Sequence, residues 1–332
     1  MNKIRLARRF AFGVVAVAFG PTPLSADPMV QPHDVIAVYS DITTEQRVVS
    51  ADIEDYFLMC RPVVGARVYE AGTPKENLWT FNRDLDFGLL QVKPNIVLIS
   101  FADPASSTVV VEKLMKHGSR SVVAIPPSPD NHLTLACTCL KALGCDGAIG
   151  SIDLDLAAAA ATSDPGQKIL SVQNGIVTIE SSRYPFCFVG DATVPATFND
   201  DLNRYMLVAK GISTQRAKVT WGDQSCEFSA RDLTSGVNLA AAFAGHTPFD
   251  TQFAQVSSAV WTRQKDDAFF NDTYFNWAVM LKHMAGPQGS AAADKLGAAI
   301  LDHDRTASEA AAALVVPIKH TLKVEAIPDA AK

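Results

Sequence analysis

The sequence predicts an α/β fold: a parallel sheet covered on both faces by helices, then an antiparallel β lobe and a helical C-terminal segment. Three observations predict it. Short Val- and Ile-rich runs alternate with helical stretches from Asp34 to about Leu156. Strands buried on both faces read this way, and parallel pairing requires long crossovers between them. Asn174-Gly175 separates two apolar runs, a hairpin signature. From Asn238 onward, apolar residues recur at helical spacing in Ala-rich sequence.

Residues 1–26 read as an export signal. Lys3, Arg5, Arg8 and Arg9 form a positive start, Phe10 to Gly20 is apolar, and Leu24-Ser25-Ala26 precedes Asp27. The apolar run is too short to span a bilayer, and no later run approaches that length. The protein is therefore expected to be secreted or periplasmic, with no membrane span after cleavage.

An α/β domain is expected over 27–165. Val35 to Tyr39 reads as a buried strand and Gln46 to Leu58 as a helix. Ala66 to Glu70 is a second strand, and a helix follows from about Glu76 to Val92. Pro94 stops that helix before the third strand, Asn95 to Phe101. Ser106 to His117 is helical, Ser121 to Ile125 a strand, His132 to Leu143 a helix, and Gly147 to Leu154 a weaker strand. Active sites of such sheets lie at the carboxyl ends of the strands. The loops after Tyr39, Glu70, Phe101 and Ile125 are thus the candidate site.

The β lobe is expected over 166–240, with strands at Lys168 to Val172, Ile176 to Ile179, Tyr184 to Val189, Tyr205 to Ala209 and Ala217 to Trp221. Gly222-Asp223 marks a second hairpin turn. In the helical segment, 241–332, Phe253 to Lys282 and Ala291 to Leu314 are separated by Gly286-Pro287-Gln288-Gly289.

The 332 residues carry a net charge of −6, and no basic stripe offers a nucleic-acid surface. With 48% hydrophobic and 19% charged residues the chain can build a core. Export permits disulfides among its six cysteines, and buried free thiols are the alternative. Cys137, Cys139 and Cys145 cluster without a histidine at zinc-site spacing.

Tyr39-Ser40-Asp41-Ile42-Thr43, Glu70-Ala71-Gly72-Thr73, Gln91-Val92-Lys93-Pro94-Asn95-Ile96-Val97 and Phe101-Ala102-Asp103-Pro104 occur in an order that resembles the SGNH (GDSL-type) hydrolases. Leu202 to Val208, Gly236 to Ala240, Thr247-Pro248 and Gln252 resemble the C-terminal extension of an exported bacterial subset of that family. The resemblance covers most of the mature chain. It implies a flavodoxin-like three-layer sheet, ester hydrolysis on acylated carbohydrate or a related polymer, and no metal or organic cofactor. It also implies motif-equivalent site positions at Ser40, Asp41, Gly72 and Asp103.

The chemistry departs from the family. Ester hydrolysis by this plan needs a serine, a histidine base, an orienting carboxylate and oxyanion donors. Asp41 stands where the family carries the nucleophilic serine, and Ser40 where it carries the preceding aspartate. Pro104 replaces the oxyanion asparagine and has no N–H to offer. The late Asp-x-x-His motif is missing, since Asp146-Gly147-Ala148-Ile149 lacks the histidine. Only Gly72 is kept in kind. Each candidate also has a plain structural role: Ser40 and Asp41 as helix caps, Gly72 and Asp103 as turn residues, His132 as a helix start.

Three functions remain open from the sequence. The first is an exported hydrolase-family protein with impaired or lost catalysis, a pseudo-enzyme that binds a ligand or supports a partner. The second is a working ester hydrolase in which Ser40 attacks and His132 serves as base. The third is a non-enzymatic interaction protein of the cell envelope. The sequence leaves the oligomeric state open.

Overall fold

The computed structural model describes residues 29–40, 48–71, 92–100, 111–125, 132–188 and 197–328. The amino-terminal segment read as an export signal lies outside them, as does the helix expected after Glu76. Among the described residues no helix is long and apolar enough to cross a membrane.

Four strands, β1 (Val35–Ser40), β2 (Arg67–Glu70), β3 (Ile96–Ser100) and β4 (Ser121–Ala124), form a parallel sheet in the order β2-β1-β3-β4. Alternation along β1 sends Ile36 and Val38 to one face and Ala37 and Tyr39 to the other. The first face packs on α1 (Val48–Asp55) and α2 (His132–Ala142) through Val49, Ile53, Leu133 and Leu140. The second packs on helical residues 111–116 through Val111 and Leu114. The chain thus forms the expected helical layers on both faces of a parallel sheet. α1 runs on into a π-helical turn, Tyr56–Cys60, whose Tyr56, Phe57 and Met59 are buried.

Beyond α2 the chain departs from the expected arrangement. β5 (Ala148–Asp155) does not extend the parallel sheet. It pairs in parallel with β9 (Arg204–Lys210) and antiparallel with β6 (Ala160–Ser163). The redirection occurs at Gly147, whose φ is 74° and whose carbonyl accepts from Arg204 N at 2.9 Å. A Cβ there would lie 2.2 Å from the Asp201 carbonyl oxygen, so only glycine fits. The strand expected at Tyr184 to Val189 is absent as well, because residues 184–188 carry no ladder.

The hairpin at Asn174-Gly175 forms as expected, between β7 (Gln167–Gln173) and β8 (Ile176–Ser181), with positive φ at both turn residues. α3 (Phe198–Leu202) leads into β9. β10 (Arg216–Trp221) and β11 (Gln224–Ser229) form the second hairpin, followed by α4 (Ala230–Ser235), β12 (Val237–Asn238) and α5 (Leu239–Ala242). α6 spans Asp250–Ala313 and breaks at Gly286, next to Pro287. Its two arms fold back on each other: Tyr274 faces Gly297, and Lys282 pairs with Asp294 at 3.7 Å.

The end of the chain corrects the reading of 241–332 as helical throughout. After Pro317 the chain forms β13 (Ile318–Ile327), which lies between β10 and β8 in the five-stranded sheet β11-β10-β13-β8-β7. Pro317 cannot continue a helix, and His320, Leu322 and Val324 alternate inward at strand period. All six cysteines are unpaired thiols, and five of them are buried.

Candidate functional site

The carboxyl edge of the parallel sheet is where the sequence places its site. The order β2-β1-β3-β4 sets the ends of β1 and β3 side by side, with Ser40 opposite Ser100. Ligands in such sheets bind at this crevice. Ala71 N donates to Val38 O at 2.9 Å as β2 ends in buried Glu70. Ser100 is buried, and its Oγ has no hydrogen-bond partner among the described residues. Ser40 is the last residue of β1. Asp41, Gly72 and Asp103 lie outside the described residues. Asp146 holds a turn, accepting from Ala148 N at 3.1 Å. Trp221 and Tyr205, read as packing residues, are fully buried with ring centroids 5.2 Å apart.

Along the chain, α1 follows β1 and α2 follows β4. Against these two helices packs a cavity of about 340 Å³. It is lined by Asp52 and Asp55 of α1, His132 of α2, Cys187, and Ser257 and Trp261 of α6, among others. Asp52 and Asp55 are one helical turn apart and share a face. Asp52 Oδ2 and Asp55 Oδ1 are both enclosed with no hydrogen-bond partner among the described residues. Burial pushes the Asp52 carboxyl up to about 7. Burial also raises Asp55 well above the usual carboxylate range; Asp52 and Glu54 add to this, and a hydrogen bond from Ser257 opposes it.

His132 joins this cavity. Burial pushes its imidazole below its ordinary value, and among the described residues no carboxylate is hydrogen-bonded to it. Cys187 is a protonated thiol, raised mainly by burial. The described lining contains no charged cation.

Deeper between α1, β2 and α6 lies a buried ionic cluster. Arg263 donates to Glu54, Asp267 and Asp304, and to Val68 O at 2.6 Å. Gln264 donates to Glu54 at 2.9 Å and accepts from Ser50 at 3.0 Å. Arg67 reaches Asp304 at 3.0 Å. Burial disfavours the Arg263 charge, but Glu54, Asp304 and Asp267 outweigh that and raise its pKa. This cluster fastens α6 to the sheet; all its carboxylates face a guanidinium, unlike Asp52 and Asp55.

A serine–histidine pair occurs elsewhere, but its geometry is not catalytic. Trp221 Nε1 donates to His320 Nδ1 at 3.1 Å. The ring proton is therefore on Nε2, which donates to Ser181 Oγ at 2.8 Å. Ser181 in turn donates to Tyr205 at 3.1 Å, and Tyr205 to Gln167 at 2.8 Å. A nitrogen that donates to a serine cannot take its proton, and every member is buried. Burial pushes His320 down to about 4.

Sequence reasoning weighed Ser40, Asp41, Gly72, Asp103 and His132 but passed over Asp52 and Asp55. Their signal was present. Asp52, Glu54 and Asp55 crowd one short helix with no Lys or Arg three or four residues away, so local pairing cannot neutralise them.

No family model matches the chain, and no curated protein matches it. A solved structure, a gut microbial diltiazem-metabolizing enzyme, is similar over 91% of this chain and 99% of its own, with a TM-score of 0.65 and 13% identity. At that identity the likeness is one of fold.

Proposed function

We propose that this chain is an exported protein of SGNH hydrolase type whose ester-hydrolysing activity is impaired or lost, and whose inherited pocket binds a ligand such as an acylated carbohydrate or related polymer. The observation that carries the reading is the order β2-β1-β3-β4 with Ser40 opposite Ser100. A flavodoxin-like sheet has this order over its first four strands, which supports the reading, while β5 pairs elsewhere. In the sequence following β1 and β3, Asp41 and Pro104 stand at the positions of the family's nucleophile and oxyanion asparagine. Members of a catalytic unit act together, so losing the serine, the asparagine and the histidine removes most of the rate enhancement. The similar solved structure metabolizes a drug, which suits a fold that accommodates small organic molecules. His132 is a poor substitute base, since burial disfavours its charged form and no described carboxylate is hydrogen-bonded to its ring.

Hydrolysis of p-nitrophenyl acetate by the mature protein tests this reading, with Ser40→Ala and Asp41→Ser run beside it. The expected result is no turnover above the uncatalysed rate in the wild type or in Ser40→Ala, and none restored by Asp41→Ser alone. Turnover that disappears in Ser40→Ala overturns it.

A further inference from the structure

We propose that the cavity bounded by α1, α2, residues 184–188 and α6 is a binding site for an organic ammonium ion. Asp52 and Asp55 would hold its charge, and Phe186, Phe188, Phe253 and Trp261 would enclose its apolar body. The inference goes beyond the hydrolase reading and does not rest on it.

The first argument is unmet hydrogen bonding. Enclosed carboxyl oxygens without partners are uncommon in folded proteins, because each costs free energy. Here two such oxygens, Asp52 Oδ2 and Asp55 Oδ1, belong to side chains that line one cavity. Nearby Glu54, in contrast, is held by Arg263 and Gln264. Among the described residues, the fold therefore supplies a guanidinium to one acid of α1 and places no Lys or Arg in the cavity lining beside the other two.

The second argument is the wall. Phe186, Phe188, Phe253 and Trp261 all line the cavity, with Phe186 5.1 Å from Phe253 and 5.5 Å from Phe188 between ring centroids. Aromatic faces attract cations and exclude water, which strengthens a charge pair inside. Trp261 already takes Lys265 Nζ 4.9 Å from a ring centroid, so this ring is used for such contacts. A hard metal ion is the poorer fit, since it requires about six oxygen ligands and aromatic walls supply none. A volume of about 340 Å³ suits a small ligand.

The third argument is titration. Among the described residues, the ionisable groups facing the cavity are Asp52 and Asp55 from α1, His132 from α2 and Cys187 from residues 184–188. Glu54 acts on Asp55 from α1 itself, and Asp250 of α6 acts on Cys187. With the cavity empty, burial raises both carboxyls, Asp52 to about 7, and so favours their protonated forms. An ammonium ion would displace those protons, so binding must strengthen as pH rises and release protons as it occurs.

The test is calorimetric titration of the full mature chain with 2-phenylethylammonium, and with 2-phenylethanol as its neutral counterpart. At pH 8 the ammonium ion is expected to bind at least tenfold more tightly than the alcohol. Its affinity is expected to fall at least tenfold by pH 5, with proton release visible as a dependence of the heat on the buffer's ionisation enthalpy. Asp52→Asn and Asp55→Asn should each abolish the preference for the cation, and Ala254→Trp should block both probes. Alcohol binding as tightly as the ammonium ion overturns the proposal. So does a preference that survives in both Asn variants, or no ammonium binding at millimolar concentration. The pH series uses the wild type, so it remains decisive if a variant does not fold. Ester turnover, measured on the same preparation, reports separately on the hydrolase reading.

Discussion

Around His320 each donor meets an acceptor, while Asp52 and Asp55 each keep one enclosed carboxyl oxygen with no hydrogen-bond partner among the described residues. Both regions enclose ionisable groups, and both depress the charged form. In the sheet region the chain Trp221, His320, Ser181, Tyr205, Gln167 runs in one direction and ends on an amide. That network rigidifies a core, as satisfied polar networks do. In the α1 region the unmet groups border a cavity rather than a packed interior. The difference separates structure from function: a closed network has no need of a ligand, whereas an open pair has a use for one.

The largest effect is expected where the acids are matched. Arg263→Met would leave Glu54, Asp267 and Asp304 buried without their cation and cost about 4 kcal/mol at pH 7. The shift of the urea midpoint measures it. An unchanged midpoint would mean that the cluster does not hold α6 to the sheet.

Next comes His320→Leu, expected to cost about 3 kcal/mol by stranding Trp221 N–H and breaking the hydrogen bond to Ser181. The wild type should also lose stability as pH falls from about 6.5 to about 4. Over that window the unfolded histidine binds a proton that the folded one refuses. The variant should lack this component, so denaturation at pH 7 and pH 4.5 distinguishes a closed network from simple packing.

Asp52→Asn is expected to act in the opposite sense and more weakly. The folded carboxyl titrates near 7 and the unfolded one near 4, so wild-type stability falls as pH rises through that range and levels off above it. Asn removes the ionisation, which should stabilise the protein by about 1–3 kcal/mol at pH 8 and by nothing at pH 4. Thermal melts of both proteins across pH check the sign. Greater stability of the wild type at pH 8 would mean that Asp52 already has a cationic partner.

The same contrast explains what the sequence disclosed. Strands β1 to β4 were legible because runs such as Ile96–Ser100 are continuous apolar segments bounded by breakers. The turns at Asn174-Gly175 and Gly286-Pro287 were legible because their residue types require particular backbone angles. The partner of β5 was not legible. Its local pattern specifies a strand, but the choice of β9 depends on a turn at Gly147 and on contacts some fifty residues away. β13 was missed for a related reason, since it follows a long Ala-rich helix and its ten residues pair only with distant strands. The acids of α1 show in the sequence only as a crowd of like charges on one helix. Only the packing of α6 and residues 184–188 over them turns Asp52 and Asp55 inward. Of the residues weighed from the sequence, Ser40 falls at the sheet edge and His132 in the cavity.

The central claim is that no activated serine remains at the end of β1. Treatment of the mature protein with a fluorophosphonate, followed by peptide mass spectrometry, tests it most directly. Such a reagent phosphonylates a serine only where a base has activated its hydroxyl, with loss of fluoride. The account predicts no adduct on the peptide containing Ser40. Stoichiometric, time-dependent labelling of Ser40 would contradict it and identify a working nucleophile.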